Sequence, residues 1–126
     1  MSLLPLANAV LQSGVLGLNE TAILTYLVAN AVGRANAQPW KKINAHLRSF
    51  QPSIVMKKQD FQHGLLAHSR SQNYFIGSSN KGFFIIDDIG DARASASYYI
   101  SRIQAETLHL AQLRSIGLSH TPPWIV

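Results

Sequence analysis

Cysteine is absent from the 126 residues, which excludes disulfides, thiol nucleophiles and cysteine-based zinc sites together. Charge is scarce as well: 13 % of residues are Asp, Glu, Lys or Arg, against about 25 % in ordinary soluble domains. A polar surface must then be built largely from Ser, Asn, Gln and His. Acidic side chains are the rarer sign, 6 against 11 basic ones, and the net charge is +5. That balance admits an anionic partner without requiring one. Long apolar runs are missing too. Asn8, Gln12, Asn19 and Glu20 interrupt the fairly apolar opening, which has no basic leader. No stretch reaches the roughly 18 apolar residues of a membrane span. The expectation is a cytoplasmic protein with no membrane partner.

Sites for chemistry are equally sparse. His63 and His68 stand five apart, on diverging sides of a helix, rather than in the i, i+4 arrangement that grips zinc. His46, His109 and His120 have no carboxylate at useful spacing, so no metal is expected. Asp60 with His63 lacks a nucleophile in a recognisable context. Asp87, Asp88 and Asp91 form the one acidic cluster, which a helix N-terminus accounts for. The run GSSNKG, 77–82, has glycine and lysine but not the spacing of a phosphate-binding loop. Neither enzymatic activity nor a cofactor is expected.

What is present is apolar content of 47 %, enough to exclude global disorder and to build one core. Residues 1–18 carry turn signals at Pro5, Gly14 and Gly17 and read as a short helix or an arm. A helix is predicted from Asn19, a capping residue, with Ile23, Leu24, Leu27, Val28 and Ala31 as its stripe and Gly33 as its end. Pro39 suits the first turn of a second helix, in which Trp40, Ile43, Leu47 and Phe50 follow one face. A third is predicted over 57–69, anchored by Phe61, Leu65 and Leu66. Its Gly64 costs about 1 kcal/mol of propensity or permits close approach of a neighbour.

NYFIGSSNKGFFIID, residues 73–87, has β-formers on either side of a polar segment and reads as a hairpin with its turn at 78–82. Tyr74 and Ile76 share one face. Either Phe83 and Ile85 or Phe84 and Ile86 join them, and period alone leaves that register open. Asp88 then caps a long helix, with Asp91 in capping-box position. The helix is predicted to run to Ile116 and stop at Gly117, with Ala92, Ala96, Tyr99, Ile100, Ile103, Thr107, Leu110 and Ala111 on one side. About 27 residues, near 40 Å, exceeds what covering so small a core needs. The surplus is expected to pair with a second copy through Tyr99, Ile103, Leu110 and Leu113, giving a homodimer.

The order of three helices, hairpin and helix, and the stretch LLAHSRSQNYFIGSSNKGFFII above all, resembles the winged helix-turn-helix family over residues 19–88. The fold class that follows is α+β, mainly helical, with a wing at 74–86, a long C-terminal helix at 89–117 and a tail at 118–126. The resemblance implies double-stranded DNA as partner, with the third helix in the major groove and the wing on the backbone. It also implies a small transcriptional regulator, or the DNA-reading subunit of a mobile-element, restriction or replication system. Gln59, His63 and Arg70 become candidate base contacts, since Gln suits adenine edges and Arg guanine edges. Lys41, Lys42, Lys57, Lys58 and Lys81 become candidate phosphate contacts. A winged module that binds protein through the same face is the alternative, favoured by the low charge. A positive stripe would separate the first reading from the apolar patch of the second.

Overall fold

A computed structural model describes residues 2–50, 56–71 and 75–125, with the main chain alone at positions 50 and 70. Helix α1, Leu4–Ser13, starts with Pro5 in its first turn and ends at Gly14 in the left-handed region, φ 72°. Helix α2 spans Leu18–Asn30. Its N-cap is the extended Gly17, one residue ahead of Leu18, so the expected cap Asn19 lies inside the helix. The Thr21 hydroxyl donates to the Gly17 carbonyl at 2.8 Å. Helix α2 also stops before Gly33, because the following backbone is used elsewhere. Ile85 N–H donates to the Ala31 carbonyl at 2.7 Å, and Gly33 N–H donates to the Ile85 carbonyl at 2.9 Å.

A single 3-10 turn at Arg34–Asn36 leads into α3, Trp40–Phe50. The next helix, α4, covers 58–71 in three parts: Lys58–Phe61, a π turn at Gln62–Leu66, and Ala67–Ser71. The hairpin follows as β1, Ile76–Ser79, and β2, Gly82–Ile85, antiparallel, with Ile76 opposite Ile85 and Ser78 opposite Phe83. This register settles the open choice: Phe83 and Ile85 share a face with Ile76. It also tightens the turn. Ser78 and Ser79 belong to β1, and Asn80-Lys81 alone connect the strands. The part of the expected wing at Tyr74 lies outside the described residues.

The fold is mainly helical with a small antiparallel sheet, α+β in class. Its core is built by α1 to α4 and the inner face of the hairpin. Leu24, Leu27, Ile43, Phe61, Leu65 and Ile85 are essentially inaccessible to solvent. Each such side chain contributes roughly 1.5–3 kcal/mol. Strand β2 is buried on both faces, which is why it reads as an unbroken apolar run. Phe84 occupies the other face, in space that Gly77 leaves open; a Cβ at Gly77 would stand 2.7 Å from the Phe84 ring.

Helix α5 spans Ile89–Ser119, 31 residues and about 46 Å. The chain divides into two compact units, Met1–Ser95 and Ala96–Val126, and α5 belongs to both. In the first unit Asp91 and Ser95 are the buried residues of α5, whereas Ala92, expected on the covered side, is exposed. In the second unit Gly117 is not the stop. It is buried within the helix, and its carbonyl accepts N–H groups from His120 at 3.2 Å and Trp124 at 2.9 Å. The tail thus supplies the C-terminal partners, and the helix runs two residues further. No helix among the described residues is long and apolar enough to cross a membrane.

Candidate nucleic-acid interface

Three aromatic rings join the elements that carry the candidate side chains. Trp40, at the start of α3, stacks on Phe61 of α4 with centroids 5.3 Å apart and planes 13° from parallel. Phe61 in turn meets the edge of Phe83 on β2 at 4.8 Å and 88°. Stacked and edge-on pairs of this kind are worth about 0.5–1.5 kcal/mol beyond the area they bury. The three elements that carry the candidate residues are therefore joined at one point. The Lys58 ammonium lies 5.8 Å from the Phe83 ring centroid, a cation–π contact that ties α4's first turn to the hairpin.

The outer edge of β2 is held as firmly. Gln38 and Phe83 exchange N–H to carbonyl bonds, both 2.9 Å. Gly82 has φ 132°, and a Cβ there would collide with the Gln38 carbonyl. Only glycine tolerates that conformation and that approach. Lys81 thus precedes a residue held against Gln38, which Lys41 follows by three residues and Lys42 by four. Its own N–H donates to Ser79 Oγ at 3.2 Å, closing the tip.

Lys41, Lys42, Lys57, Lys58, Gln59, His63 and Lys81 are all exposed. The Arg70 side chain lies outside the described residues. Asp60 is engaged within its own helix, where its Oδ2 accepts the Lys57 backbone N–H at 2.9 Å and caps α4. Gly64 marks a close approach, as a Cβ there would stand 2.6 Å from Glu20 Oε1 on α2. It sits in the π turn, a feature often found where a helix serves a function. The exposed large apolar residues are Val15, Leu18, Ile89 and a series from Ile100 to Ile125; none of those described lies on α4 or the hairpin. Among the described residues no cluster of His, Asp or Glu is arranged to hold a metal ion.

Arg34 was not singled out by sequence, yet it fixes the start of α5. Asp91, 2 % exposed, accepts at Oδ1 from Arg34 N–H at 2.9 Å and Arg34 Nη1 at 2.8 Å, and at Oδ2 from Asp87 N–H at 2.8 Å. Asp88 Oδ1 accepts from Asp91 N–H at 2.8 Å and from Arg34 Nη1 at 3.1 Å. The capping box is therefore present, with its return bond at Asp87 rather than Asp88. Burial alone would push the Asp91 carboxyl up. The donors from Arg34 and Asp87 outweigh burial and hold it below the usual range. The Arg34 guanidinium is raised, first by its bond to Asp91, against burial, and then by the charge of Asp88. No single-sequence signal links positions 57 apart.

No protein-family model, curated protein or solved structure matches the chain.

Proposed function

We propose that the protein binds double-stranded DNA as a winged helix-turn-helix domain, with α4 in the major groove and the β1–β2 hairpin as the wing. The observation that carries the reading is the Trp40–Phe61–Phe83 stack, which joins α3, α4 and the hairpin, the elements that carry exposed Lys41, Lys42, Lys57, Lys58 and Lys81. Five cations on joined elements, without an exposed large apolar residue among those described on α4 or the hairpin, match a phosphate-binding face better than a protein-docking one. Gln59 and His63 are the base-facing pair. Asp60 stays on its helix cap. The output is that of a cytoplasmic regulator or of a DNA-reading subunit. Two copies pair through α5, a reading supported by exposure of 64 % at Ile103, 45 % at Leu110 and 52 % at Leu113, with Tyr99 half-exposed beside them.

Fluorescence anisotropy of a mixed-sequence duplex across a salt series tests this. Nonspecific binding is expected near the micromolar range at low salt. Five phosphate contacts give a slope of log K on log salt of about −4.5, and Lys81→Ala reduces its magnitude by about 0.9. A folded protein that binds no duplex at low salt would shift the reading to a protein-binding module.

A further inference from the structure

Helices α2 and α3 enclose a half-open groove of about 290 Å³, lined by Leu18, Thr21, Ala22, Thr25, His46 and Leu47, with Asn19 at its edge. We propose that this groove is a binding site for a small, neutral aromatic molecule of one or two rings. The groove shares α3 with Lys41 and Lys42, but the proposal stands whether or not the protein binds DNA.

Charge matching sets the chemical class. Among the described residues no Asp, Glu, Lys or Arg lines the groove, so an ionic ligand would leave its solvation without a compensating partner there. The threonine donors are also taken up. Thr21 Oγ1 donates to the Gly17 carbonyl at 2.8 Å and Thr25 Oγ1 to the Thr21 carbonyl at 2.7 Å, so both hydroxyls are engaged on their own helix. What the threonines offer a ligand is methyl surface and an accepting oxygen, with no free proton to donate. The wall opposite is already ordered. His46 packs its ring 4.4 Å from that of Tyr26, and the Tyr26 hydroxyl donates to Gln38 Oε1 at 3.0 Å. A flat ring set against His46 therefore meets a surface that needs no rearrangement.

Volume sets the size. A dry apolar cavity of about 150 Å³ takes up benzene, and small-molecule sites begin near 300 Å³. The groove falls between, close to the second value.

The test uses the full chain and indole as the probe. Methyl-resolved NMR follows Ala22, Thr25 and Leu47 during the titration, with Leu24 and Ile76 as reporters of the core. Saturable shifts confined to the groove methyls are expected, half-complete at about 1 mM or below. Ala22→Trp fills the groove and is expected to abolish them while the core signals stay in place. Thr25→Ser, which removes one methyl, keeps the hydroxyl and does not block the site, is expected to weaken binding a few-fold. Shifts that never saturate, or that fall equally on the exposed apolar residues of α5, would overturn the proposal. So would an Ala22→Trp variant that keeps its core signals and still binds indole. Concentration-dependent self-association that Ala22→Trp disrupts, with no indole shift at those methyls, would assign the groove to a second copy and overturn it as well.

Discussion

Two stretches of one helix invert the usual rule. In its first two turns α5 buries polar side chains, Asp91 at 2 % exposure and Ser95 at 5 %. Further on it exposes apolar ones, with Ile103 at 64 % and Ile116 at 62 %. The first stretch has donors to meet: Arg34 and Asp87 for Asp91, and the Ser78 N–H, 3.1 Å from Ser95 Oγ. A buried polar atom with its partners is not a defect, and an apolar side chain without neighbours is not a core. Apolar content therefore says which residues can be buried; donor and acceptor geometry says which are.

The sharpest way to break this comparison is to remove a residue from the aromatic joint, where burial is complete. Phe61→Ala is expected to cost about 3–5 kcal/mol, through lost burial and the cavity left between Trp40 and Phe83. Urea denaturation followed by far-UV circular dichroism measures it. A cost below about 1 kcal/mol would mean that the three elements are not joined there.

Next in size is Asp91→Asn, expected to cost about 1–3 kcal/mol, because an amide replaces a buried carboxylate that accepts three N–H donors. The pH dependence carries the sign. Asp91 titrates lower in the folded chain than in the unfolded one. Its contribution is therefore fully present above the unfolded value of about 3.9 and is lost as pH falls through the lower folded value. The parent should lose this part of its stability in that acid window, and the variant should not. Parallel pH profiles for the two would remove the Arg34–Asp91 bond as a stabilising element.

Much of the fold was legible because it rests on local period. The stripe of Trp40, Ile43 and Leu47 gave α3, and the β-formers around Asn80-Lys81-Gly82 gave the hairpin. The stop of α2 and the third partner of β2 were not legible. Val32 and Gln38 each make an isolated bridge to β2, at Ile85 and Phe83, and one residue has no period. The lysines of the candidate site could be picked out by type and position. The joint between the elements that carry them could not, because Trp40, Phe61 and Phe83 read individually as ordinary core residues. The buried side of α5 was misread for a related reason: its first two turns are held through Asp91 and Ser95, and an apolar stripe cannot point to a polar contact.

The smallest effect on the first unit comes from the exposed end of the comparison. Ile103→Asp should leave hydrogen-exchange protection at Leu24 and Ile76 within about 0.5 kcal/mol of the parent, since Ile103 is exposed and belongs to the second unit. Its consequence should appear in mass instead. If two copies bury Ile103 and Leu110, the parent sediments as a dimer and its unfolding midpoint rises with concentration by mass action. A charge placed in an apolar seam gives up its solvation, so the variant is expected to sediment as a monomer with a concentration-independent midpoint. A parent that is already monomeric would leave the apolar side of α5 without a second copy, and the pairing would have to be withdrawn while the proposal of DNA binding stood untouched. The two stretches of α5 would then differ only in exposure, and not in what each is built to meet.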